Sequence, residues 1–244
     1  MDQPTLRQVA DVLTTSVEKK YAWHRCTNEA YGLQLPWACR ENLSVERILL
    51  CVTATSEVER YAQEKYYNLV VSHHPMLIDH PQVVLHTALD CCPGGINDLW
   101  AEVLDMDMST AEHFDGTLGW RGSLKTPLLY HDLLAKVEGL ICTPIIGIRD
   151  HDVDEIRHVV ICSGLGGLVY DKANAWGNKN KACYITGELC YYKHGDFGGI
   201  IETGHTLSER IILPKLKDII VKAFPDVQVD VAPIEMDYFG REVL

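Results

Sequence analysis

The run Val70-Val71-Ser72-His73-His74-Pro75 ends an apolar, β-branched segment on two imidazoles. Leu69 to Val71 has the pattern of a buried strand, and Pro75, which lacks an amide hydrogen, cannot continue a central ladder. Both imidazoles then stand at the carboxyl end of a strand, where open α/β sheets place their ligands. A regular strand would point the rings to opposite faces. An irregular strand end can turn both toward one cavity, or one toward each of two metals. The bland alternative is one ring packed and the other solvated.

Two further pairs bear on that choice. His86 and Asp90 are four residues apart, as are His205 and Glu209. On a helical turn this spacing puts both side chains on one face, about 5–6 Å apart at Cβ, close enough to chelate one cation. Either pair taken singly reads as a surface hydrogen bond. The joint pattern supplies four imidazoles and two carboxylates, more donors than a tetrahedral zinc site uses. Six N/O donors suit two metals sharing a bridging carboxylate or water, the arrangement of two-metal hydrolysis. The mixed donor set admits two divalent ions of Zn, Fe or Mn.

The elements that must position these residues follow from periodicity. Leu6, Val9, Ala10, Leu13 and Val17 mark a helix within residues 5–20. The stretch up to about residue 44 is irregular. Residues 47–54, RILLCVTA, read as a strand, and Ser56 with Glu59 forms a capping box that opens a helix to about Tyr66. With the strand ending in His73-His74 this makes a right-handed βαβ unit. Pro93-Gly94-Gly95 is a firm stop, after which Asn97 or Asp98 can cap a helix. Residues 109–127 carry several glycines with weak periodicity, so the boundary between two α/β domains is expected there, giving 1–120 and 121–244.

In the second half, residues 131–140 are helical, and 159–163, 182–186, 200–203 and 227–231 are strand candidates. Residues 206–224 form a long amphipathic segment that Pro214 should kink or restart. The turn Gly164-Leu165-Gly166-Gly167 invites a phosphate-cradle reading. The dinucleotide fingerprint needs Gly where Val169 stands, and no Gly-Lys-Ser/Thr occurs, so a tight strand-to-helix turn fits better.

The chain has 244 residues, 47% hydrophobic and 23% charged, with a formal charge of −12. That balance disfavours broad nucleic-acid binding, which needs a basic face. No apolar run reaches the roughly 18 residues of a membrane span. The start, Met1-Asp2-Gln3-Pro4, lacks the basic and apolar regions of a signal peptide. Nine cysteines with no Cys-x-x-Cys pair point to buried reduced thiols and a cytoplasmic location. Cys91-Cys92 could add a soft ligand, with packing the plainer role.

At these residues the chain resembles the NIF-three-like family of toroidal, dinuclear-metal-centre proteins. The matches are VVSHHP (70–75), HTALDCCPGGIND (86–98), VVICSGLGG (159–167), YITGE (184–188) and ETGHTLSE (202–209), in the family's order. The weaker TATSEVERYA (53–62) has Thr53 where an Asp is common. The resemblance implies a NIF-three-like fold of two α/β domains with mixed sheets and a homohexamer. It also implies metal ligation by His73, His74, His86, Asp90, His205 and Glu209. Members carry the label GTP cyclohydrolase I type 2 or metal-dependent hydrolase. One departure concerns the Tyr-His pair that the family places after its TGE or TGD triplet. This chain reads Cys190-Tyr191-Tyr192-Lys193-His194. His194 takes that role if the loop is two residues longer; otherwise a group is missing.

Two function classes follow. One is a hydrolase of a nucleotide-like or cyclic amide substrate, with Glu188 and His194 as candidates for proton transfer or for orienting a ligand. The other is a non-catalytic metal-binding, regulatory or storage ring, favoured by an acidic chain without a basic phosphate clamp. A third option treats the metals as structural staples.

Overall fold

The computed structural model describes residues 3–26, 28–143, 145–149, 153–189, 197–233, 235–236 and 242–243. The chain divides into two compact units, residues 1–92 with 212–244, and residues 93–211. Both are α/β, each built on a mixed sheet.

The first unit opens with α1 (Leu6–Ser16), capped by Thr5, whose hydroxyl accepts from the Gln8 amide while the Gln8 side chain accepts from the Thr5 amide. Then come β1 (Gly32–Gln34), β2 (Arg47–Thr53), α2 (Ser56–Glu64), β3 (Leu69–His74), β4 (Gln82–Val84) and α3 (His86–Cys91). The sheet order is β1-β4-β3-β2. β2, β3 and β4 run parallel, and β1 adds an antiparallel edge. β2 is buried from Ile48 onward, which is why it reads as one apolar run rather than an alternation. Each fully buried leucine here, such as Leu49 or Leu50, contributes about 1.5–3 kcal/mol.

Two local expectations shift. The cap of α2 is Thr55, accepting from the Val58 amide, and not Ser56. Glu59 instead accepts from the Asp79 amide at 2.7 Å. The stretch before residue 44 also contains β1, too short to show a period.

The second unit contains α4 (Ile96–Val103), β5 (Glu112–Phe114), β6 (Gly119–Leu129), α5 (Tyr130–Ile141), β7 (Ile146–Arg149), β8 (Glu155–Cys162), α6 (Tyr170–Lys179), β9 (Cys183–Thr186), β10 (Gly199–Glu202) and α7 (His205–Arg210). Its sheet order is β5-β6-β8-β9-β10-β7. The inner strands β8, β9 and β10 are parallel, and the remaining pairings are antiparallel. Residue 120 therefore lies inside β6 rather than between domains. The glycine-bearing stretch is a β5–β6 hairpin turning through Asp115 and Gly116, both at positive φ. α4 starts at Gly95 without a side-chain cap. Asn97 is spent on the Leu118 carbonyl and the Ser163 amide, and Asp98 on Gly94 and Trp120.

The amphipathic tail is two helices, α7 and α8 (Leu213–Ala223), with Pro214 in the first turn of the second. Proline restarts the helix there because its missing N–H is one that an N-terminus leaves unbonded anyway. α8 packs on α1 and β2 of the first unit. β11 (Gln228–Val231) then completes that sheet, parallel to β2 with Val229 opposite Ile48. Five of the described cysteines are buried, Cys91 and Cys92 among them, and the described cysteines form no disulfide. Among the described residues no helix is long and apolar enough to cross a membrane.

Candidate metal-binding residues

β3 ends on His73 and His74, and α3 starts on His86 four residues before Asp90. These elements gather three imidazoles of the first unit. The ring centroids of His73 and His74 are 4.6 Å apart, and those of His86 lie 5.3 Å and 5.7 Å from them. One ligand nitrogen from each lies within 4.8 Å of the others. Asp90 joins them, its Oδ2 3.7 Å from His73 Nε2. His86 has φ +32°, in the left-handed region that a residue with a side chain rarely adopts. Such strain costs on the order of 1–3 kcal/mol and persists where the surroundings demand it.

Sheet register and the N-terminal segment supply oxygens to the other side of these rings. The parallel pairing of β2 with β3 sets Thr53 opposite His74, and the Thr53 hydroxyl lies 2.7 Å from His74 Nδ1. Glu29, with its side chain only 5% exposed, has Oε2 2.7 Å from His86 Nδ1. Thr87 fixes the other oxygen of Glu29 by donating to it at 2.7 Å. The contact is an ion-pair distance without hydrogen-bond geometry, so Glu29 acts on His86 through its buried negative charge. Thr53 stands where an Asp is common in the family pattern, and local sequence does not single out Glu29, because nothing in an irregular stretch marks one acid as spatially special.

In the second unit, the ends of β8, β9 and β10 align. The Gly204 amide donates to the Gly187 carbonyl at 2.8 Å, and the Gly167 amide to the Glu188 carbonyl at 2.9 Å. α7 begins directly after, so His205 and Glu209 share one helical face with Nε2 and Oε1 3.2 Å apart. Glu188 lies on the other side of the ring, its Oε2 3.1 Å from His205 Nδ1. Glu209 is 2% exposed. Burial opposes a charge on His205, but the hydrogen bonds and charges of Glu209 and Glu188 outweigh it and push the imidazole up to about 9. A metal ion arriving at Nε2 must therefore displace a proton. His194 and residues 190–193 lie outside the described residues.

The donor set fits divalent ions of the zinc, iron or manganese kind. Such ions take neutral imidazole nitrogen and carboxylate oxygen, and buried carboxylates such as Asp90 and Glu209 carry a desolvation cost that a cation offsets.

Among proteins of known sequence, the "GTP cyclohydrolase 1 type 2 homolog" of Lactococcus lactis subsp. lactis (strain IL1403) is 26% identical over 209 residues, 72% of this chain and 79% of that protein. The protein of the same name from Clostridium perfringens is 23% identical, over 72% of this chain and 78% of its own length. Among solved structures, reduced HcgD from Methanocaldococcus jannaschii superposes with a TM-score of 0.79 at 19% identity, covering 94% of this chain and 98% of that one. A Bacillus cereus protein related to NIF3 gives 0.76 at 16% identity, covering 98% and 99%. The Duf34/NIF3 (NGG1p interacting factor 3) family model matches residues 4–85 and 82–238, and the chain belongs to that family.

Proposed function

We propose that this chain is a dinuclear metal-binding protein acting as a metal-dependent hydrolase on a nucleotide-like or cyclic amide substrate. His73, His74, His86, Asp90, His205 and Glu209 would be the ligands of two divalent ions. The observation that carries the reading is the oxygen partner at Nδ1: Thr53 for His74, Glu29 for His86 and Glu188 for His205. A carboxylate on the far ring nitrogen is how metal-ligating histidines are oriented. A histidine that only fills space gains nothing from a buried acid.

Two bound ions would supply Lewis-acid polarisation of a carbonyl or phosphoryl oxygen and activation of water. The chain's own part is to orient His205 through Glu188 and to steady His74 and His86 through Thr53 and Glu29, with His194 as the candidate for proton transfer at the substrate. The names of the curated relatives support the hydrolase class. The same reading takes the protein as a homohexamer in the cytoplasm, a closed ring of repeated contacts.

Elemental analysis after reconstitution with Zn, Mn or Fe tests the ligand set, with two ions per chain expected and a ratio near zero sinking it. Light scattering tests the hexamer, against which a monomer at micromolar concentration would count. A panel of nucleotides, phosphoesters and small cyclic amides tests catalysis, with chelation expected to abolish turnover and divalent metal to restore it. If the wild type binds two ions yet turns over nothing above Glu209→Ala, the non-catalytic metal-binding or regulatory reading replaces this one.

A further inference from the structure

The first residue of the glycine turn after β8 is under a tight constraint. Gly164 has φ +60°, and a Cβ built there would overlap Oε1 of Glu209 and stand 3.3 Å from Nε2 of His205. The bare Cα of Gly164 is thus the surface on which the carboxylate and the imidazole edge rest. Its amide donates to Ser208 Oγ at 2.8 Å, and that hydroxyl donates to the His205 carbonyl at 2.7 Å. The Trp100 indole N–H donates to the Ser208 carbonyl at 2.7 Å, holding α7 from a second direction. A Cβ on Gly187 would stand 2.5 Å from both the Gly164 carbonyl and Ser208 Oγ, so the end of β9 closes the same packing.

We infer that Gly164 and Ser208 are positioning residues: the glycine turn is a backing surface that holds Glu209 and His205 at the spacing a shared cation requires. The inference rests on the proposed role of that pair as metal ligands. Its physical content is specific. The atom a Cβ would strike is the far end of a flexible side chain, so the protein can relieve the overlap by swinging the carboxylate aside without rebuilding the turn. Substitution at Gly164 should therefore spare the fold and move the ligand.

The test is a titration of the full-length, metal-free chain with cobalt(II). It reads affinity by calorimetry and coordination by the visible absorption spectrum, with circular dichroism as the measure of folding. Gly164→Ala and Gly164→Asn should both weaken binding by about tenfold to a hundredfold, the range for partners that orient a ligand, and should change the spectrum. Asn tolerates the left-handed backbone better than Ala but carries the same Cβ, so the two variants separate steric displacement from backbone strain. Gly116→Ala, at φ +79° in the β5–β6 turn, imposes similar strain and should bind as wild type. Ser208→Ala, which keeps every glycine, should bind about tenfold more weakly. Wild-type affinity and spectrum in a folded Gly164→Asn overturn the inference. If neither Gly164 variant folds, wild-type binding by Ser208→Ala does so. Unchanged binding by Glu209→Ala overturns instead the ligand reading beneath it.

Discussion

The two units solve the same problem with different parts. The first offers three imidazoles and the Asp90 carboxylate from a strand end and a short helix, steadied by Thr53 from the neighbouring strand and Glu29 from an irregular segment. The second offers one imidazole and one carboxylate from a single helical turn, steadied by Glu188 and by a glycine with no side chain to intrude. In the first, long-range sequence contacts orient the ligands: Glu29 and His86 are 57 positions apart (86 − 29). In the second, one helical turn brings the pair together, and Gly164, bonded to Ser208 of that turn, and Glu188 pack against it from elsewhere in the unit. The lesson is that histidine-rich sites depend on orienting oxygens, whereas an i,i+4 pair is half-assembled by local geometry.

The largest expected effect separates ligands from their supports. Asp90→Ala or Glu209→Ala should cost about a hundredfold or more in metal affinity, and more than His86→Ala, because a carboxylate can serve two ions. Equilibrium dialysis with elemental analysis ranks them, and equal losses for all three would remove the bridging role. Next come the two orienting acids. Glu29→Gln and Glu188→Gln should each weaken metal binding by about tenfold to a hundredfold. A near-wild-type affinity for Glu29→Gln alone would mean that the strand and helix of the first unit suffice without their carboxylate.

The pH dependence belongs to the second unit. The His205 imidazole, raised to about 9 in the metal-free chain, stabilises the fold fully below its ordinary value of about 6.5, and that stabilisation is lost as pH rises through about 9. Urea unfolding of metal-free protein should thus show a loss of about 2 kcal/mol between pH 6.5 and 9.5, reduced in Glu188→Gln and reduced further in Glu209→Gln, because Glu209 raises the imidazole most. Metal uptake at pH 7 should release close to one proton from this pair, read by calorimetry in buffers of different ionisation heat. A flat stability profile over that window would contradict the assignment. The smallest effect is expected at Thr53→Val, where loss of one hydrogen bond to His74 should cost about 1 kcal/mol, below tenfold in affinity.

Local pattern was enough to place β2, β3, α5, α8 and the helical pairs His86–Asp90 and His205–Glu209. Apolar runs and i,i+4 spacing are short-range signals that survive in any context. The chain also showed in advance that Pro214 would interrupt the last amphipathic stretch, because a missing N–H acts within one turn. Tertiary structure alone decided the rest. β11 returns to the first sheet, which no local propensity encodes, since a parallel strand finds its partner through a distant register. The hairpin at 112–129 reads in sequence as a domain boundary because its strands lie at and beside a sheet edge and bury too little to show a period. Glu29 became His86's partner only once folding carried it there. Gly164 became the floor beneath Glu209 for the same reason: a glycine's value lies in what rests against it, and that neighbour is 45 positions away (209 − 164).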